Sequence, residues 1–223
     1  METEIIENRR ATPFLHTIKI AKPVGFKHIV GQYIKITLEK DSEGIFTIAS
    51  HPDRPYLELL VSKSGDTAAK LCKLAPGDVI QISEPVGPGF AVESFADKTI
   101  YLIAHGSGIS AIKPLVEELR KKRNLYGPIR LLYGVRTVQD FPYPALFRDW
   151  MGSIEYYDII SKKPENMSEY NGEIGHVQDI LKNIKPEPEN AVAIISGSPD
   201  FEKEIREILV SHSFGEEQIV RNY

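Results

Sequence analysis

The segment Thr99-Ile-Tyr-Leu-Ile-Ala-His-Gly-Ser-Gly-Ile-Ser-Ala-Ile-Lys-Pro-Leu-Val-Glu-Glu-Leu-Arg120 decides the fold. An apolar strand runs into a glycine turn, and the turn opens an amphipathic helix. Ile100, Leu102 and Ile103 read as a buried strand, while Ile109, Ile112, Leu115, Val116 and Leu119 recur at helical spacing. Gly106 and Gly108 allow backbone to approach a ligand where a Cβ would block it. The free amide groups of the new helix then point at any anion that sits there. Gly106, Gly108 and Ala111 satisfy the dinucleotide pattern G-x-G-x-x-G/A, a weak signal by itself. A tight strand–helix turn that binds nothing has the same pattern. The next strand segment, Ile129-Arg-Leu-Leu-Tyr-Gly-Val-Arg136, ends without the Asp or Glu that an NAD-binding βαβ unit places there for the ribose hydroxyls. Either the match is accidental, or a different variant of the fold holds the nucleotide.

The chain has 223 residues, enough for one large domain or two small ones. Its 42% hydrophobic and 26% charged residues suit a globular protein with a substantial core. No apolar run approaches the roughly 20 residues of a membrane helix. The acidic start, Met1-Glu-Thr-Glu-Ile-Ile-Glu7, lacks the regions of a signal peptide, so a cytoplasmic or processed organellar location is expected. Residues 1–97 hold 11 basic and 13 acidic residues, and residues 98–223 hold 16 and 18, so each half carries −2 of the net −4. That balance argues against nucleic acid as the main ligand. The basic run Arg120-Lys-Lys-Arg123 falls at a predicted helix C-terminus, where cations complement the helix dipole. The single cysteine, Cys72, supports no disulfide framework, zinc site or cysteine-bound iron–sulfur cluster within one chain, and no metal is expected. Among Ala68, Ala69, Leu71 and Leu74 it reads as a small buried hydrophobe.

The two halves differ in period. Residues 1–97 read as β, with short runs at 15–21, 33–38, 44–49, 56–62 and 79–83 separated by turn signals, and one short helix near 67–74. Strands at this spacing suggest a small barrel or sandwich. Residues 98–223 alternate strands at 99–104, 129–134, 154–159, 191–196 and 218–221 with helices at 110–122, 144–151, 176–183 and 199–211. Ser198 and Pro199 mark the start of the last helix. The expected fold is therefore an antiparallel β-barrel domain, 1–97, followed by a doubly wound parallel-sheet α/β domain, 98–223. A ligand site should lie at the C-terminal ends of the parallel strands, near residues 105–110, 134–137 and 196–199.

This order of parts resembles the ferredoxin–NADP reductase superfamily over nearly the whole chain. Gly31-Gln-Tyr33 looks like the family's entry to a barrel strand, and Gly44-Ile-Phe-Thr-Ile-Ala-Ser50 like its R-x-Y-S/T flavin motif. Gly65-Asp-Thr-Ala-Ala-Lys-Leu71 resembles the short helix whose N-terminus meets the flavin phosphates. Pro76-Gly-Asp78 and Glu84-Pro-Val-Gly-Pro-Gly-Phe90 resemble P-G-D followed by G-P-x-G-x-F. His105-Gly-Ser-Gly-Ile-Ser-Ala111, then Tyr133-Gly134 with Arg136, then Ser196-Gly-Ser-Pro199 look like G-T-G-I-A-P, Y-G-x-R and C-G-P-P. The spacing from Gly65 to Phe90 is nearest to the electron-transfer subunits of dihydroorotate dehydrogenase and related hydrogenases, without their four-cysteine segment.

The resemblance implies a flavoprotein that takes FAD or FMN in the first domain and NAD(P)H in the second. It implies hydride transfer from nicotinamide to flavin N5, with electrons passed to or from a separate protein or small molecule. The cofactor contacts it implies are Phe46, Thr47, Ile48, Ala49, Ser50, Gly65, Asp66 and Thr67 for the flavin. For the nicotinamide dinucleotide they are Gly106, Ser107, Gly108, Ile109, Arg136 and Gly197. Thr47, Ser196 and Tyr223 are the implied catalytic positions. Thr47 would meet flavin N5, Ser196 would border the nicotinamide, and Tyr223 would stack on the flavin as a gate. The flavin motif departs in three places, the third being Thr47 where the family has serine, and Ser196 is a further departure in the second domain. Gly44 replaces the arginine that meets the flavin phosphate, a contact of the stronger polar kind. Lys63, Lys70 and Arg54 are the candidate substitutes. Phe46 replaces the tyrosine, and Ser196 replaces a cysteine. Thr67 is the expected cap of the short helix. The alternative reading is a flavin-poor or flavin-free NAD(P)-binding or assembly subunit on the same fold, without turnover. A short-chain dehydrogenase is excluded because no tyrosine has lysine four residues on, and a P-loop NTPase because no G-x-x-x-x-G-K occurs.

Overall fold

A computed structural model describes residues 1–39, 42–166 and 170–221. By contacts the chain divides into two units. The first contains Met1–Phe90 together with Ser110–Glu118, and the second contains Ala91–Ile109 and Leu119–Arg221.

The first unit is a six-stranded antiparallel sheet of β1 (Glu2–Arg10), β2 (Leu15–Ala21), β3 (Tyr33–Glu39), β4 (Ser42–Thr47), β5 (Tyr56–Ser62) and β6 (Val79–Ile82), in the order β4-β3-β6-β1-β2-β5. A short helix, α1 (Asp66–Leu71), follows β5. The sheet is barrel-like without being closed: just past edge strand β4, Ile48 bridges Leu59 on the opposite edge strand β5. Its interior holds Ile5, Ile18, Ile20, Ile34, Leu57 and Leu59, each fully buried. The buried Cys72 joins this core, and burial pushes its thiol pKa up, as for an inert small hydrophobe.

The sequence does not announce β1, which is missing from the expected strands. Its charges disguise it as an acidic tail. In three dimensions Thr3 and Ile5 point inward while Glu2 and Glu4 point out, the alternation of a half-buried strand. β1 sits in the middle of the sheet, paired with β6 on one side and β2 on the other.

The second unit carries β7 (Thr99–His105), α2 (Ile109–Lys121), β8 (Ile129–Val135), α3 (Pro144–Trp150), β9 (Glu155–Ile160), β10 (Glu173–Ile174), α4 (Val177–Ile184), β11 (Ala191–Ser196), α5 (Pro199–Ser211) and β12 (Ile219–Val220). The middle of α2 is the segment grouped with the first unit. The six strands form one parallel sheet in the order β10-β9-β8-β7-β11-β12. On one face Tyr101, Ile103, Leu132 and Ile195 pack with Val177 and Leu181 of α4 and with Phe201, Ile205 and Leu209 of α5. On the other, Tyr133 meets Phe147 of α3. Helix α5 starts as the sequence predicts: the Ser198 hydroxyl accepts from the Phe201 amide, and Pro199 occupies the first turn.

The basic run is structural. Arg120 pairs with Asp149 at 2.7 Å, and Arg123 donates to the Ser153 and Tyr126 carbonyls. Among the described residues no helix is long and apolar enough to cross a membrane.

Because Ile5 is fully buried in the middle strand, truncation should leave a cavity that neighbouring strands cannot close. Ile5→Ala is expected to lower unfolding free energy by about 2–5 kcal/mol, read from urea denaturation. A loss below about 0.5 kcal/mol would remove β1 from the core.

Candidate functional site

Two clusters form, one in each unit. In the first, the end of β4 meets α1. At position 44 a Cβ would lie 2.8 Å from Phe46 Cε2 and 3.2 Å from the Thr67 methyl, so a side chain there would need the Phe46 ring to move. The Phe46 ring thus covers the backbone where the resemblance expects an arginine stem. Thr67 does not cap α1, contrary to the sequence expectation. The N-cap is Gly65, at φ +92°, and the buried Thr67 hydroxyl instead pairs with Ser42 Oγ at 3.0 Å. A strand residue two positions before Gly44 competes for that hydroxyl, which local sequence does not reveal. Gly65 and Asp66 are exposed, and the Asp66 carboxylate pairs with Lys70 at 2.9 Å. Thr47 is half-buried at the end of β4. Ile48, Ala49 and Ser50 are at most 1% exposed, so their side chains belong to the interior and only their backbone could face a ligand.

The same unit contains a buried polar network that sequence reasoning missed. The Lys113 ammonium donates to the Ala49 carbonyl at 2.9 Å and lies 3.3 Å from Glu58 and 3.5 Å from Glu117. His51 Nδ1 accepts from the Asp53 amide at 3.2 Å, which leaves Nε2 to donate to Glu118 at 2.6 Å. Arg54 pairs with Glu117 at 3.1 Å. The signal was present: Lys113 falls on the stripe of Ile109, Ile112 and Val116, where a lysine is out of place.

In the second unit, the chain leaves β7 at His105 and enters α2 through Gly106–Gly108. Gly106 has φ +56° and open space where a Cβ would stand. Gly108 is fixed for another reason. A Cβ there would lie 2.1 Å from the Ser196 carbonyl oxygen and 2.9 Å from the Gly197 nitrogen. The close approach is between two loops of the same sheet, not only toward a ligand. It brings Gly106, Ser107 and Gly108 together with Ser196 and Gly197. The buried Tyr133 donates its hydroxyl to the Gly106 carbonyl at 2.8 Å, and burial holds its pKa well above the ordinary value. Ile109 is fully buried, so it can offer a ligand only backbone. Arg136 is exposed just past β8. Tyr223 lies outside the described residues.

A cleft of about 300 Å³ opens at the C-terminal edge of this sheet, lined by His105, Gly134, Ser161, His176, Ser198 and Phe201 among others. The sequence assigns His105 no role, yet its ring lies against Phe201, centroids 5.4 Å apart, in the wall of this cleft. Burial first, then nearby His176, lowers the His105 pKa. No cluster of acidic, histidine or cysteine residues suited to a metal occurs among the described residues.

Two measurements check this geometry. Gly108→Ala must push the turn off Ser196 and is expected to cost about 1–3 kcal/mol. Tyr133→Phe, which frees the Gly106 carbonyl, is expected to cost about 1 kcal/mol. Both are read by urea unfolding, and a neutral Gly108→Ala would contradict the contact. The pH dependence has a definite sign. A histidine whose folded pKa is depressed gives stability that is full above its unfolded value of 6.5 and is lost as pH falls through its lowered folded value. His105→Asn is therefore expected to flatten the decline in urea midpoint below pH 6.5; an unchanged slope would overturn it.

The chain is similar to known proteins in sequence and in fold. Residues 102–207 match the family model described as oxidoreductase NAD-binding domain. The chain is 31% identical over 208 residues to fruit protein pKIWI502 of Actinidia deliciosa, covering 85% of this chain and 64% of that protein. It is 25% identical over 191 residues to sulfhydrogenase 1 subunit gamma of Pyrococcus furiosus, covering 85% of this chain and 65% of that subunit. The chain thus spans just under two thirds of the length of both. Among solved structures, a ferredoxin NADP+ reductase from Neisseria gonorrhoeae with bound FAD and NADP superposes with a TM-score of 0.86 at 19% identity, over 99% of this chain and 97% of that one. The antiparallel barrel-like unit and the parallel α/β unit have the fold of this ferredoxin NADP+ reductase, and the second unit carries an oxidoreductase NAD-binding domain match across its glycine turn.

Proposed function

We propose that this chain is the flavin- and nicotinamide-binding core of an NAD(P)H-dependent flavin oxidoreductase. Residues 1–97 hold FAD or FMN, residues 98–223 hold NAD(P)H, and electrons pass to a separate acceptor. The observation that carries this reading is the glycine turn after β7. It abuts Ser196 and Gly197 at the point where the sheet order reverses, between β7 and β11, and such crevices are where doubly wound sheets bind dinucleotides.

In this reading the amides of Gly106–Ile109 meet the pyrophosphate, Ser196 and Gly197 border the nicotinamide, and Arg136 meets a ribose or phosphate group. Phe46 and Thr47 face the flavin ring, the backbone of Ile48–Ser50 lines it, and Gly65–Thr67 face its phosphate chain. Tyr223 as a flavin-stacking gate rests on the resemblance alone. Bound together, the two cofactors supply hydride transfer and onward electron delivery; the protein supplies orientation and electrostatics. Thr47 contributes a hydroxyl that can donate to flavin N5. The fit is good at the glycine turn and poorer at the flavin phosphate. Phe46 covers Gly44, Arg54 is committed to Glu117 and Lys70 to Asp66, which leaves Lys63, exposed after β5, as the remaining substitute cation.

That covered glycine also favours a second reading, an NAD(P)-binding subunit without flavin turnover. One experiment separates them. The purified protein is incubated with FAD and FMN, desalted, and scanned for flavin absorbance, then mixed with NADH or NADPH and a tetrazolium dye. Flavin retention with dye reduction is expected. Protein that stays colourless after excess FAD and FMN overturns the flavin reading. Thr47→Ala is expected to slow flavin reduction in single turnovers by at least about tenfold while leaving NAD(P)H binding unchanged.

A further inference from the structure

We propose that Lys113 is a positioning residue for the flavin-contact segment Thr47–Ser50, an inference that rests on the flavin reading above. Of these four residues only Thr47 offers a side chain that is partly open; Ile48, Ala49 and Ser50 are buried to within 1%. Where the Thr47 hydroxyl stands therefore depends on what fixes the backbone behind it. Strand β5 supplies two restraints: the Ala49 amide donates to the Glu58 carbonyl at 2.7 Å, and the Glu58 amide donates to Ser50 Oγ at 3.0 Å. His28 and Lys113 reach the segment's carbonyls. His28 meets the Ser50 oxygen at 3.3 Å, and burial lowers its pKa, favouring the neutral ring. Lys113 meets the Ala49 oxygen at 2.9 Å with a full charge behind the bond. Charge-assisted hydrogen bonds are the shorter and stronger kind.

Stability alone gives no reason for a lysine here. Its position lies on the apolar stripe of Ile109, Ile112 and Val116, where a methionine or leucine would avoid the desolvation of an ammonium 6% exposed and a Glu58 equally buried. Buried ion pairs replaced by well-packed apolar groups often leave stability unchanged or improved. An apolar side chain has no direction, whereas the ammonium, balanced by Glu58 and Glu117, holds one carbonyl at one point. The flanking pairs are different. His51–Glu118 and Arg54–Glu117 involve groups that are 27% and 52% exposed on one side.

The test uses the full chain with Lys113→Met, Lys113→Arg and Lys113→Gln. Flavin affinity is measured by fluorescence quenching, and the ring's surroundings by visible circular dichroism of the bound flavin, both without turnover. Lys113→Met is expected to weaken flavin binding about tenfold and to change the visible dichroism; it also lowers the unfolding midpoint of the flavin-free protein, because Glu58 stays buried without the ammonium, so the assignment is read from the flavin signals and their rescue by arginine. Lys113→Arg is expected to restore both flavin readouts, and Lys113→Gln to fall between. Wild-type flavin affinity and dichroism in Lys113→Met, or an arginine variant as impaired as methionine, would overturn the assignment. Should Lys113→Met not fold, Lys113→Arg and Lys113→Gln decide on the same readouts: equal impairment in both overturns it. Wild-type protein that binds no flavin is a separate result and removes the flavin reading itself.

Discussion

The close approach of Gly108 to the Ser196 carbonyl is the constraint on which the second unit's site depends. Strands β7 and β11 are parallel neighbours in register from Ala191 opposite Thr99 to Ser196 opposite Ala104. Their chains must leave the sheet side by side. With 2.1 Å between a would-be Cβ and a backbone oxygen, only glycine lets both loops emerge at that spacing. The strand order reverses there, β8 lying to one side of β7 and β11 to the other, so a crevice opens above the contact. Tyr133, buried beneath, holds the Gly106 carbonyl from the neighbouring strand. The turn is thus set by strand packing before any ligand arrives, which is the preorganisation a phosphate cradle needs.

The first unit solves a different problem. Its interior is a conventional apolar sheet core, but the segment after β4 is held by a charged side chain as well as by backbone hydrogen bonds. Lys113, Glu58 and Glu117 form a low-exposure ion cluster whose geometric product is one restrained carbonyl. Such clusters carry a desolvation cost that their mutual attraction must offset. At position 44 the space beside the glycine is filled by the Phe46 ring and the Thr67 methyl.

Legibility in the sequence followed the physics of each signal. Period alone located β2, β5, β7, β8 and β11, because their buried runs are long and apolar. Ser198 and Pro199 located α5 because a cap acts over one turn of chain. β1 was hidden because Glu2, Glu4 and Glu7 dominate its composition while only Thr3 and Ile5 point inward over its first half. Thr67 was misjudged as a cap because its partner, Ser42, is 25 residues away. The Lys113 cluster was illegible for the same reason: its bonds to Ala49 and Glu58 join residues far apart in sequence.

By itself the sequence determined the two-part architecture, the glycine turn, and the order of motifs on which the family resemblance rests. These rest on local periodicity and on glycine's lack of a side chain, both of which act over a few residues. Only the tertiary structure decided why Gly108 must be glycine, which groups fix Ala49, and what fills the space beside Gly44. Each depends on atoms brought together from distant segments, and no local propensity encodes that meeting.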